Sequence, residues 1–448
     1  MDTTSQSHSR NLSRASRPRS STRGPLDQPD DPLSPGASAS PVSQLQTSQI
    51  LDTCSGASFS ALDPLAPDIS QSDIEKDLSY LLRYDVYHSL AQVDIPPALR
   101  SEFLAPTSDQ SLQSCLASLE KLVTEGHFLL AAYLSATILT SSLISPTDTK
   151  LILALFYTRL ACLELSGNTV LAAQESKALE DLSSAFYYIE PTPQVSESDD
   201  TQKHPTHPRH IVPWCLRVLA VRLQSIGFGD SRRGIGGLYE IGLEARREIM
   251  RPDLTDEERR IWKNRLSDLG IRSVNALIEM GDLNAARRSL ASLRASSAQT
   301  ETVKLRKALL YLLIGDLDSA KQVIGDNEAE SSIFLPLLSM AEGRYDDAVA
   351  EWRALLGREP RRSDESMISQ NLAVCLLYTG QLNEARQVLE ELVRENNSFG
   401  SLVFNLSTVY ELCSDKSPNM KAELVDVISK QPVTGHTNLD RPNADFKL

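Results

Sequence analysis

Apolar residues recur at three- and four-residue spacing through most of this 448-residue chain, in runs that end at a glycine and resume two positions later. That period places them on one face of a helix, so each run predicts an amphipathic helix and each glycine a break between two of them. The best-formed break lies in Gly380–Leu392, GQLNEARQVLEEL, where Leu382 stands two positions after the glycine and Ala385 five. The same spacing recurs at Gly281 (Leu283, Ala286), Gly315 (Leu317, Ala320) and Gly343 (Tyr345, Ala348). It reads as the elbow of a helical hairpin. Glycine takes the left-handed conformation that ends the first helix without a Cβ penalty. The apolar residue packs under the elbow, and alanine lets the second helix come close to the first.

Weaker copies extend the pattern toward the N-terminus. Gly126 carries Phe128 and Ala131; Gly167 carries Ala172 but has Thr169 in the apolar position; Gly229 has Gly234 in the small position. The later gaps are 34, 28 and 37 residues, and 34 is the length of a tetratricopeptide repeat. The expected fold is therefore all-α, a tetratricopeptide-repeat-like α-solenoid of helical hairpins preceded by a disordered N-terminal tail. Such right-handed solenoids use their concave face to bind extended segments or helices of other proteins.

The divisions follow from composition. Residues 1–70 are rich in Ser, Pro and Arg and read as a disordered tail. Residues 71–190 read as N-terminal hairpins, 191–210 as a polar, Pro-rich loop, 211–431 as the solenoid and 432–448 as a polar C-terminal tail. Ser72–Glu75 and Thr255–Glu258 fit capping boxes, the first leading to Leu78, Leu81 and Leu82 at helical spacing. A helix is expected over 108–125 and another over 399–412. Pro336 should kink or shorten its helix, and Ser417-Pro418 should supply a cap and an N1 proline.

Candidate chemistry is sparse. The net charge of −14 argues against nucleic acid as the main ligand. Six cysteines are scattered without a CxxC pair, mostly within apolar segments, which fits buried thiols in a reducing compartment. No cationic segment followed by an apolar run opens the sequence, so no secretory signal is expected. Phe128–Ile144 is 17 residues without a charge, but five are Ser or Thr, and a buried hairpin helix fits better than a membrane span. His204, His207 and His210 are spaced as HxxHxxH, yet Pro205 and Pro208 break the helix that would gather them, so a solvated loop is expected and not a metal site. Gly229 and Gly234 have phosphate-loop spacing, but Ile235-Gly236 follow where Lys-Ser/Thr is required. Glu257-Glu258 and Glu390-Glu391 are adjacent pairs pointing to different helix faces. No cofactor is expected, and no enzyme. The first 24 residues carry five arginines against one aspartate; Ser13 and Ser20, each three residues after an arginine, and Ser34, before Pro35, are candidate phosphorylation sites.

Beyond the generic elbow, Asn371–Val393 (NLAVCLLYTGQLNEARQVLEELV) and Leu402–Lys416 (LVFNLSTVYELCSDK) resemble the subunit 12 family of the TRAPP (transport protein particle) vesicle-tethering complex. The most specific part is Phe404-Asn405-Leu406-Ser407-Thr408-Val409-Tyr410-Glu411-Leu412. The resemblance implies a non-catalytic scaffold subunit acting in endoplasmic-reticulum-to-Golgi transport and autophagy. Its partners would be other TRAPP subunits and, through the complex core, a Rab-family GTPase, with no nucleic acid and no integral membrane insertion. It would be cytoplasmic and peripheral to endoplasmic reticulum–Golgi intermediate and Golgi membranes. The alternatives are a tetratricopeptide-repeat co-chaperone gripping a C-terminal carboxylate, for which Lys307 and Asn371 are the suggestive residues, and an auxiliary subunit of another multiprotein enzyme complex.

Overall fold

Seven hairpins close on the same pair of backbone bonds. At Gly126, Gly167, Gly229, Gly281, Gly315, Gly343 and Gly380 the backbone is left-handed, with φ between 62° and 86°. The glycine N–H bonds back three residues and the next N–H bonds back five, as in Gly380 to Leu377 (3.1 Å) and Gln381 to Leu376 (2.8 Å). This is the Schellman closure, which satisfies two carbonyls that a helix end otherwise leaves orphaned.

The computed structural model describes residues 76–90, 111–189, 208–293, 301–324, 333–357 and 364–431. Around the elbows stand α1 (Leu112–Thr124) and α2 (Phe128–Leu139), α3 (Thr149–Leu165) and α4 (Thr169–Ser176), and α5 (Trp214–Phe228) and α6 (Ser231–Ile249). Then come α7 (Asp256–Glu279) and α8 (Leu283–Ser292), α9 (Glu301–Ile314) and α10 (Leu317–Ile324), and α11 (Phe334–Ala341) and α12 (Tyr345–Leu356). The array ends with α13 (Glu365–Tyr378), α14 (Leu382–Arg394), α15 (Gly400–Cys413) and α16 (Ser417–Lys430). Consecutive helices pack together from α1 to α10 and from α11 to α16, and α9 meets α11 directly. Some odd-numbered helices also touch the next odd-numbered one: α3–α5, α7–α9, α9–α11 and α13–α15. Among the described residues no even-numbered pair makes comparable contact, so the layer of odd helices is the more closely packed of the two. The chain is an all-α solenoid.

Burial follows the elbows. Ala131, Ala172, Ala286, Ala320, Ala348 and Ala385 are all fully buried. At the third elbow a Cβ on Gly234 would stand 2.5 Å from the Ser225 Cβ, and one on Gly237 would stand 2.8 Å from Val221 Cγ1. The glycine-rich stretch is thus the place where α5 and α6 cross closely, and its phosphate-loop spacing reflects packing. The core divides along the array into an N-terminal cluster around Phe156, a middle one around Val274 and Leu290, and a C-terminal one around the fully buried Trp352, with two smaller clusters around Leu238 and Leu266 between α5, α6 and α7.

Several expectations need correction. Leu78 and Leu81 are buried, but the segment forms two 3₁₀ turns, Ser79–Leu81 and Tyr84–Val86, and no α-helix; the Leu78 N–H bonds to the Pro146 carbonyl instead of to its own segment. The Ser72–Glu75 box lies outside the described residues, as do the N-terminal serines, His204 and His207. His210 is not in a solvated loop. Arg209–His210 pair antiparallel with Tyr188–Ile189, making the one strand pair among the described residues. α16 is capped one residue earlier than expected, by Lys416, with Ser417 already helical. Pro336 sits in the first turn of α11, where its missing N–H would be unbonded anyway, so the helix is short and not kinked. The Thr255–Glu258 capping box forms reciprocally, with Glu258 N–H to Thr255 Oγ1 at 3.2 Å and Thr255 N–H to Glu258 Oε2 at 3.0 Å. α2 stops at Leu139, and no helix among the described residues is long and apolar enough to cross a membrane.

Of the cysteines, Cys115, Cys162 and Cys375 are buried and Cys215 and Cys413 half-buried, and none of the five forms a disulfide. Burial pushes the Cys162 thiol up to about 12 and that of Cys375 up to about 11.

Three measurements follow from this packing. Gly236 has open space around its Cβ position inside α6, so Gly236→Ala should raise stability by about 0.5–1 kcal/mol in denaturant unfolding. Gly234→Ala, two residues away, should lower it by about 1–3 kcal/mol. Ala385→Trp overpacks a fully buried elbow position and should cost a similar ~1–3 kcal/mol, read as a lower melting temperature. At pH 8, iodoacetamide should label Cys413 well before Cys162 or Cys375, since the raised values leave almost no thiolate at the buried pair; mass spectrometry of the tryptic peptides checks this.

Candidate interaction surface

The residues singled out in the sequence divide into a buried set and an exposed one. The elbow glycines and alanines make the scaffold. The apolar residue two positions after each glycine is only partly covered: Leu317, Tyr345 and Leu382 are half-buried and Leu283 is exposed. Each such residue sits at the start of an even-numbered helix, on the edge of the array where the elbows lie.

The same edge carries the most exposed apolar side chains of the odd helices. Leu165, Leu313, Tyr378 and Leu412 occupy the last or penultimate position of α3, α9, α13 and α15, with relative exposures of 46%, 64%, 65% and 57%. Tyr378 stacks flat on Tyr345 of the preceding elbow, with ring centroids 4.4 Å apart and planes 6° apart. An apolar residue left this open at equivalent places in several repeats suits contact with another macromolecule.

Ion pairs tie successive repeats near this edge. Arg287 of α8 reaches Asp316 at the next elbow (2.6 Å), Lys321 of α10 reaches Glu342 at the one after (2.5 Å), and Arg353 of α12 pairs with Glu384 of α14. The Lys321 and Arg344 bonds hold the Glu342 carboxyl below its usual range. Between odd helices, Arg222 of α5 bridges Glu164 of α3 (2.5 Å) and Glu279 of α7 (3.1 Å). Such exposed pairs recur across the junctions from α3 to α14, each contributing little stability.

The segment Phe404–Leu412 spans most of α15 and is two-faced. Leu406 and Tyr410 are buried, and the Tyr410 hydroxyl meets Glu390 Oε1 at 3.3 Å; burial pushes its ionisation well above the usual range. Asn405 is half-buried, and Glu411 pairs with Lys421 of α16 at 2.6 Å. Phe404 and Leu412, two turns apart, both face solvent. The segment therefore joins α14 and α16 by one face and offers apolar surface by the other.

The two residues suggestive of a carboxylate clamp are otherwise engaged. Lys307 donates its ammonium to the Leu293 carbonyl (2.5 Å), and partial burial lowers its pKa. Asn371 donates to Met367 Sδ (3.1 Å). The adjacent glutamates separate as expected of neighbours on a helix: Glu257 pairs with Arg260, Glu258 with Thr255 and Arg209, Glu390 with Tyr410, and Glu391 with Arg394. His210 accepts the Val212 N–H at Nδ1 (3.0 Å), so its Nε2 donates to the Leu182 carbonyl (2.9 Å), and its ring stacks on Tyr187. Among the described residues no group of three His, Cys, Asp or Glu is placed to hold a metal ion.

Two clusters have no counterpart in the sequence reading. Arg265 lies over the rings of both Trp214 (5.1 Å) and Trp262 (4.7 Å), which meet edge to face. Arg159 forms a fully buried ion pair with Glu175. The signal available for the second was a lone arginine inside the apolar run LILALFYTRLACL, which a helix buried all round tolerates only when the charge is paired.

The tetratricopeptide repeat family model matches residues 339–407, from the end of α11 through most of α15. Over 308 residues the chain is 24% identical to trafficking protein particle complex subunit 12 of Homo sapiens, a match covering 62% of this chain and 40% of that protein. The Mus musculus protein of the same name is 23% identical over 310 residues, covering 62% of this chain and 37% of its own length. The matched region thus spans well under half of either curated relative. With its left-handed glycine elbows and a tetratricopeptide-repeat match over residues 339–407, the chain is similar to subunit 12 of the trafficking protein particle complex.

Proposed function

We propose that this protein is a non-catalytic scaffold subunit of a TRAPP-type tethering complex, working through protein contacts of its helical repeats. The observation that carries the reading is the similarity to subunit 12, supported by a repeat array whose elbow edge leaves Leu313, Tyr378 and Leu412 open. In this reading residues 211–431 supply the contacts to neighbouring subunits and 71–190 extend the array. The complex acts in endoplasmic-reticulum-to-Golgi transport and autophagy, and the chain reaches a Rab-family GTPase only through the other subunits. It works in the cytoplasm, at the surface of intermediate and Golgi membranes, with no helix of its own in the bilayer.

Apolar anchors at the centre of an interface carry most of its affinity, so losing two of them is the sharpest lesion. Native affinity purification of the tagged full chain, followed by mass spectrometry, should recover other TRAPP subunits. The double variant Leu313→Glu, Tyr378→Glu should reduce that recovery by roughly tenfold or more while keeping the helical circular-dichroism signal of the natural chain. Purification of the intact chain free of every TRAPP subunit would overturn the reading.

A further inference from the structure

The Arg159–Glu175 pair is buried on every side, with side-chain exposures of 1% and 0%, and its hydrogen bonds are completed by a stretch of chain outside the helical array. Arg159 donates from Nε to Glu175 Oε2 (2.9 Å), from Nη2 to Glu175 Oε1 (2.6 Å) and from Nη1 to the Ala132 carbonyl (2.9 Å). These bonds join α2, α3 and α4 to one another. The remaining two go to the backbone of a single residue: Arg159 Nη2 donates to the His88 carbonyl (3.0 Å), and the His88 N–H donates to Glu175 Oε1 (2.8 Å). The His88 imidazole is partly covered, with 43% of its side chain exposed and Nδ1 3.5 Å from Glu175 Oε1. A main-chain N–H and C=O are therefore held together by an opposed charge pair, with the imidazole beside the same carboxylate.

Residues 76–90 supply the rest of the contact as a peptide would. They form no helix or strand, only two 3₁₀ turns. Leu78 and Leu81 insert fully into the N-terminal core. Tyr87 lies edge-on to Phe156 (6.3 Å between ring centroids) and beneath the Arg159 guanidinium (5.9 Å). Its hydroxyl returns to the Leu81 carbonyl (2.5 Å), which fixes the segment's own turn. The Tyr80 hydroxyl meets that of Tyr187 (2.7 Å). Apolar anchors with a paired backbone amide between charged groups are how grooves recognise peptide segments without depending on every side chain.

We propose that the surface across α2, α3 and α4 is a peptide-binding site, filled in cis by residues 76–90. Its ligand class is a peptide with Leu-x-x-Leu followed six residues later by an aromatic and then a residue with a free backbone N–H. The chain's own segment is the occupant, and it exchanges with a free peptide of the same pattern once its hold is weakened. The site lies apart from the elbow edge assigned to subunit contacts and does not depend on that assignment.

The test uses the full chain carrying Leu78→Asp and Leu81→Asp, which weakens the internal occupant, and a fluorescent peptide of residues 76–90 with the natural sequence. A tethered competitor acts at an effective concentration near ~1 mM, so the natural chain should bind the peptide at least ~100-fold more weakly than the double variant does. The double variant should keep the helical circular-dichroism signal of the natural chain and bind the peptide saturably. A peptide with His88→Pro has no N–H to give Glu175 and should bind ~10-fold or more weakly. Three results would overturn the proposal. Failure of the folded double variant to bind removes the site, and equal binding of the His88→Pro peptide removes the backbone reading. Loss of the helical signal in the double variant makes residues 76–90 part of the core and not a ligand.

Discussion

The structure depends on a steric fact about seven residues. A left-handed turn two bonds long is open to glycine and costs a side-chain-bearing residue about 1–2 kcal/mol. At each of the seven elbows that turn reverses the chain within three residues and satisfies two end carbonyls of the helix before it. Close reversal in turn requires a small residue where the second helix first meets the first, which is why six alanines and Gly234 are all sealed from solvent. Asn396 performs the same reversal between α14 and α15 with φ of 62°, which asparagine tolerates better than most residues. Repetition of one local geometry produces the array, and stacking of the arrays' faces produces the core.

The legible part of the sequence was the part governed by neighbours along the chain. Glycine conformation, the small residue five positions on and the capping box at Thr255 are all decided within six residues, so one sequence suffices to read them. What could not be read depends on partners distant in sequence. Arg159 and Glu175 are 16 residues apart, and the His88 backbone they hold lies 71 residues before Arg159. No periodicity announces such a meeting. Leu78, Leu81 and Leu82 have helical spacing, but the competing tertiary bond from Leu78 to Pro146 and the burial of two leucines hold 3₁₀ turns instead. The strand pair at Tyr188 and His210 is two residues long on each side, below what alternation can signal.

The surface of the array divides in the same way. Residues that build the array repeat and are small or buried; residues that leave it open are larger and stand at the ends of the odd helices. Phe404–Leu412 belongs to both groups. Its Leu406 and Tyr410 are structural, while Phe404 and Leu412 stay outside. A resemblance to a family carried by such a segment mixes constraints of folding with constraints of binding, and the burial pattern separates the two.

The eight residues of α11 have a role out of proportion to their length. Phe334 and Leu338 belong to the middle core, and Leu337 and Met340 pack against the C-terminal one. Two turns of helix, begun around a proline, are the mechanical joint through which one half of the solenoid senses the other. A repeat protein unfolds as one unit only while each interface is strong relative to the intrinsic stability of the repeats it joins. Cooperative unfolding of the two halves therefore runs through the contacts that α11 makes on both sides.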